Sequence, residues 1–160
     1  MKKLLLVAAL AISSVGFAQS GLKEDVDIIQ ALYGKSKKDL VHEYMKLMEP
    51  RAAAFWKIYD EYEVERKVLG QKKVQLLSDY ADHYSSLSDA KADELATAIL
   101  KNNMDYDKLF SKYYGETKKA MGALDAAKFM QLETALQTAI RYDLLNHIPF
   151  IGEIDRSKKN

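Results

Sequence analysis

In QLLSDYADHY, residues 75–84, Asp79 and His83 stand four positions apart. That spacing puts two side chains on one helix face and is the least that could begin a metal site. A complete site needs three or four ligands. The other histidines, His42 and His147, bring no His-x-x-x-His or Glu-x-x-His pair with them. The carboxylate and Glu-x-x-His pattern of di-metal bundles is therefore missing. A surface ion pair is the simpler reading.

Asp60, Glu61, Glu63 and Glu65 could supply paired carboxylates for acid–base work. However, Glu63 precedes Lys67 by four residues, the spacing of a helical ion pair, while Glu61 and Glu65 at the same spacing repel. The run reads mostly as a solvated face. Ser85, Ser86 and Ser88 lie near His83, but a nucleophile also needs a positioned base and oxyanion donors. Helix capping is the simpler role, and there is no Gly-rich phosphate loop. Neither an enzyme activity nor a cofactor nor a metal is expected.

The densest unusual feature is RAAAFWKIYDEYEVER, residues 51–66, which carries Phe55, Trp56, Tyr59 and Tyr62. At roughly 100° per residue, Phe55, Ile58, Tyr59, Tyr62, Leu69, Leu76, Leu77, Tyr80 and Tyr84 share one stripe. Phe55, Tyr62, Leu69 and Leu76 repeat every seven residues, as a packed helical seam does. Most of the cluster is thus core. Trp56 falls at the edge of the stripe, and Arg66 and Lys73 fall inside it, making the middle of the seam partly polar or open to water. The candidate surface for a client or partner is Trp56, Tyr59, Tyr62, Arg66 and Lys73, with Trp56 the residue most expected to face something else.

The elements that must position these residues are helical. The fold expected is all-α, a long antiparallel helical hairpin with additional shorter helices. A short helix spans Glu24 to Tyr33 and ends at Gly34. Ser36 caps a second from Lys37 to about Met48, with Asp39 as the capping-box acid. Pro50 sits in the first turn of a long helix from about Glu49 to Ser85. Leu87-Ser88-Asp89-Ala90 makes a tight turn with Ser88 as N-cap. The next helix carries Leu95, Tyr106, Leu109 and Tyr113, weakens at Gly115 and stops near Gly122. A last helix shows Phe129, Leu132, Leu136, Ile140 and Leu144 on one face and ends before Pro149. Ile148 to Ile151 form an apolar tail expected to fold back on the bundle.

The 160 residues contain no cysteine and two prolines. The opening MKKLLLVAALAISSVGFAQS has the layout of a secretory signal peptide: Lys2 and Lys3, an apolar run, then Gly16-Phe17-Ala18. The apolar run of about 14 residues is short for a bilayer span. Cleavage after Ala18 is expected, leaving residues 19–160 as one helical domain with a leading segment (19–35) and a tail (149–160). Localisation would then be the periplasm or the exterior, with no membrane span after cleavage and no cysteine to carry a lipid. Removing residues 1–18 takes away Lys2 and Lys3 and no acid, leaving 22 basic against 23 acidic side chains and moving the formal charge from +1 to −1. That balance argues against nucleic acid as a partner. Without disulfides, which exported domains are free to use, packing alone must hold the domain.

An internal repeat links two helix starts. Leu47-Met48-Glu49-Pro50-Arg51-Ala52-Ala53-Ala54-Phe55 and Met121-Gly122-Ala123-Leu124-Asp125-Ala126-Ala127-Lys128-Phe129 each have an apolar residue, a break, a small-residue turn and a Phe eight positions on. Here the chain resembles the Spy/CpxP family of exported helical proteins, whose signature is Leu-Thr-x-x-Gln at two helix starts. Relatives in which the motif runs on into Phe-Trp-x-x-Tyr-x-x-Tyr match Phe55, Trp56, Tyr59 and Tyr62. The resemblance covers roughly residues 40–145. Met48 and Gly122 replace the Thr, and Arg51 and Asp125 replace the Gln, so both copies are degenerate. The resemblance implies a cradle-shaped homodimer and ATP-independent chaperone or envelope-stress activity on protein clients or a signalling partner. The alternative is a structural or accessory bundle with one dedicated envelope partner.

Overall fold

The computed structural model describes residues 27–146 and 151; the signal-like segment, His147 and the tail apart from Ile151 lie outside the described residues. The described chain is all-α: α1 (helical over 27–33), α2 (Lys37–Met45), α3 (Arg51–His83), a 3₁₀ turn (Tyr84–Ser86), α4 (Asp89–Met121) and α5 (Ala123–Asn146). Helices α3 and α4 form the long hairpin, α5 packs against α4, and α2 lies on α5.

Local chemistry sets the boundaries. Ser36 caps α2, its hydroxyl accepting from the Asp39 N–H at 3.2 Å and donating to the Asp39 carboxylate at 2.6 Å. The helix stops at Met45, short of Met48, because Lys46 turns left-handed (φ 51°) and its N–H closes on the His42 carbonyl. Pro50 is the N-cap of α3 rather than part of its first turn. Ser88 caps α4, accepting from the Lys91 N–H. Gly115 does not interrupt α4, since Tyr113 and Thr117 on either side are buried and packing outweighs the propensity cost of about 1 kcal/mol. Gly122 alone separates α4 from α5. Its φ of 90° and ψ of 164° are open only to glycine at little cost.

The core has two apolar parts. The larger gathers Val41, Met45, Phe55, Tyr59, Tyr62, Leu109, Tyr113, Met121 and Phe129; the smaller gathers Ile29, Leu136 and Ile140. The buried face of α5 runs Ala126, Phe129, Glu133, Leu136, Ile140, so a carboxylate falls between them. Among the described residues no helix is long and apolar enough to cross a membrane.

The two helix-start repeats meet. Phe55 and Phe129 contact edge to face at 5.2 Å. Arg51 donates to the Met121 carbonyl at 2.7 Å and forms an ion pair with Asp125. Ala52 and Ala126 are both buried, which lets the two helix starts approach closely.

Candidate functional site

Three of the four aromatics at 55–62 are interior: Phe55, Tyr59 and Tyr62 are at most 3% exposed. The apolar stripe of α3 accounts for this: Phe55 and Tyr62 lie on its seven-residue seam, Tyr59 lies beside it, and all three rings meet Phe129 of α5. Trp56 is half-buried on the α2 side. Phe55 and Tyr59 meet its ring edge-on, each at 5.2 Å. His42 stacks over it at 6.0 Å, and the Lys38 ammonium stands 5.2 Å from its centroid. Lys38 also pairs with Asp60 at 3.0 Å. The indole therefore sits under a rim of ionisable side chains.

Arg66, a sequence-predicted surface residue, is buried and belongs to a polar cluster that ties α2, α3 and α5 together. Its guanidinium donates to Glu63 at 2.7 Å. Lys37 bridges Glu63 at 2.6 Å and Glu133 at 2.8 Å, and the Tyr62 hydroxyl donates to Glu133 at 2.7 Å. Among the described residues two cations and two carboxylates meet here, and such pairing is the condition for burying charge at tolerable cost. Burial alone would raise the Glu63 pKa, but Lys37 and Arg66 more than offset it and hold the carboxyl down at about 2. Tyr62 and Tyr59 are pushed well above the usual phenol range, by burial first and then by the neighbouring carboxylates. The second oxygen of Glu133 is buried without a hydrogen-bond partner.

Beside this cluster lies a cleft of about 400 Å³, lined by Ile29, Lys37, Lys38, Tyr59, Glu63 and Arg66 among others. Tyr59 and Arg66 thus share one cleft, and Trp56 adjoins it across Lys38. Tyr62 contributes only from within.

Lys73 is elsewhere. It lines a separate cleft of about 190 Å³ between α3, α4 and α5, with Leu77, Ile99, Ile140, Arg141 and Leu144 among its walls. Its ammonium donates to the Asn103 side-chain amide oxygen, Oδ1, at 2.6 Å. Partial burial, and secondarily the Arg141 charge, lower its pKa. Ile140 borders both clefts.

Asp79 and His83 do pair, at 3.0 Å, but Asp79 also takes Lys91 at 2.8 Å, fastening the end of the hairpin. Among the described residues no group of three or more His, Asp or Glu could hold a metal ion. The acidic run is less a solvated face than its sequence implies. Glu65 accepts from Lys112 at 2.6 Å and from the Tyr113 hydroxyl at 2.9 Å, binding α3 to α4. Tyr113 is held up to about 12, by burial first and then by that carboxylate.

Sequence reasoning missed Lys37, Glu133 and Arg141. Glu133 had a readable signal, a charge on the apolar stripe four residues after Phe129 and three before Leu136. Lys37 had a similar signal, four residues before Val41 and eight before Met45 on one face of α2, whereas Arg141 had none, since it lies at the edge of the apolar face of α5. No family model, no curated protein and no solved structure matches this chain.

Proposed function

We propose that this chain is an exported, non-catalytic envelope protein that holds partly unfolded clients, or a signalling partner in an envelope stress response, through the surface around Trp56. The observation that carries the reading is the cleft lined by Tyr59, Lys38 and Arg66, with the half-buried Trp56 beside it. An ATP-independent holder needs apolar contact area rimmed by charge, so that encounter is fast and release needs no energy input. Trp56 under Lys38 and His42 provides that combination. The signal-peptide-like opening and the resemblance to Spy/CpxP proteins support the export and the class of activity. Within this chain the two helix-start repeats meet through Arg51–Asp125 and Phe55–Phe129.

Trp56 is the one tryptophan, so its fluorescence reports this surface alone. Titrating the protein with a chemically unfolded client that lacks tryptophan should shift and saturate the emission. Lys38→Glu with His42→Glu, at exposed positions, should weaken the response while helicity stays the same. An emission that never moves would count against the reading and favour a dedicated partner that docks elsewhere.

A further inference from the structure

The 190 Å³ cleft between α3, α4 and α5 combines apolar walls with an unmatched charge. Leu77, Ile99, Ile140 and Leu144 form the apolar part, and Lys73 and Arg141 stand at it together. Of the other partly or fully buried cations, Lys128 bonds the Met45 carbonyl at 3.3 Å and the remaining three have acids. Lys37 holds Glu63 and Glu133, Arg66 holds Glu63, and Lys91 holds Asp79 and Glu94. Lys73 has only the neutral amide oxygen of Asn103, and among the described residues no ion pair joins Lys73 or Arg141 to a carboxylate. Instead the two cations repel each other, and that repulsion adds to the desolvation of Lys73. The wall also holds the Gln137 amide nitrogen, a buried donor with no hydrogen-bond partner. Among these polar groups the donors outnumber the one acceptor, the Asn103 side-chain oxygen.

A partly buried cation facing a second cation is unfavourable unless something compensates it. The compensating group must bring negative charge and acceptor oxygens. The walls around it require the rest of that molecule to be apolar. A volume below the ~300 Å³ at which sites for drug-sized ligands begin favours one slender chain over a ring system. We propose that this cleft binds the head and first methylenes of a single-chain aliphatic carboxylate. Lys73 and Arg141 hold the carboxylate, and the chain lies against Ile99, Ile140 and Leu144. The site is separate from the Trp56 surface and does not depend on the client-binding reading.

The test is calorimetric titration of the full chain with decanoate below its micelle concentration, with methyl NMR to locate the site. Saturable one-to-one binding that moves the Ile99, Ile140 and Leu144 methyl signals is expected. Decanol and decyltrimethylammonium, which keep the chain and change the head, should fail to saturate. Arg141→Gln should weaken decanoate about tenfold, the loss of one charge-assisted hydrogen bond. Lys73→Met should abolish binding while raising the melting temperature of the free protein, because it removes a poorly compensated charge. A merely structural lysine would give the opposite thermal shift. Binding of decanol equal to that of decanoate, no shift at those methyls, or decanoate affinity unchanged in both variants would each overturn the proposal.

Discussion

Arg51 and Asp125, which fill equivalent places in two sequence-related helix starts, form an ion pair with each other across the junction of α3 and α5. Four residues further along each helix, Phe55 and Phe129 also meet. Residues 74 apart in the chain are thus neighbours twice over. The equivalent positions of the two copies are thus complementary in charge.

Arg51→Ala should therefore cost more than an ordinary surface charge. It loses the ion pair and the bond to the Met121 carbonyl. The pair is partly exposed, so a loss of about 1 kcal/mol is expected, with a coupling to Asp125→Ala of roughly 0.5 kcal/mol. Urea denaturation of the single and double variants measures both, and the charge swap Arg51→Asp with Asp125→Arg should recover part of the coupling.

Glu133 is the acid that closes the buried cluster. Glu133→Ala leaves the Tyr62 hydroxyl buried without its acceptor and removes one of the two acids of Lys37. A destabilisation of about 3 kcal/mol is expected. Glu133→Gln keeps the hydroxyl bond and should cost less than half as much. Equal losses in the two variants would mean that shape rather than charge matters there.

Glu63 sets an acid limit on stability. Its carboxyl is held at about 2 in the folded chain, below the 4.5 of an unperturbed Glu. The contribution is therefore fully present above pH ~4.5 and is lost as pH falls toward ~2, where the folded group takes up its proton. Over that window the wild type should lose roughly 2 kcal/mol more than Glu63→Gln does. Parallel stability curves for the two proteins from pH 5 to 2 would contradict this assignment.

The two glycines of the α4 region should respond in opposite directions. At Gly115 an added Cβ meets nothing within 4 Å and the backbone is helical. Gly115→Ala should stabilise by up to about 1 kcal/mol, or raise Tm by about 3 °C. At Gly122 there is also space, but φ of 90° strains any L side chain, and Gly122→Ala should destabilise by about 1–2 kcal/mol. Thermal melts followed by circular dichroism test both.

The hairpin and its caps could be read from the sequence because they rest on local chemistry. The stripe through Phe55, Tyr62, Leu69 and Leu76, the caps at Ser36 and Ser88, and the break at Gly122 each depend on residues a few positions apart. The run of α4 through Gly115 to Gly122 was readable too, but not that the buried neighbours Tyr113 and Thr117 would remove the expected weakening. The candidate surface was legible only in part. Helical angle distinguished Trp56 from Phe55, Tyr59 and Tyr62, but it placed Arg66 and Lys73 on one seam without saying what each would meet. Arg66 meets Glu63, three residues away, inside a cluster completed by Lys37 and Glu133 from other helices. Lys73 meets an amide and a second cation. Apart from Glu63, those partners come from the packing of distant segments, which no local period encodes.

The most direct test of the account is suppression of aggregation of a chemically unfolded client, without ATP, by the protein and by its Trp56→Ala and Lys38→Glu variants. Suppression by the wild type near equimolar ratio is expected. Both variants should weaken it, with helicity unchanged and with the Lys38 variant melting at the wild-type temperature. No suppression by the wild type at several-fold molar excess would contradict it.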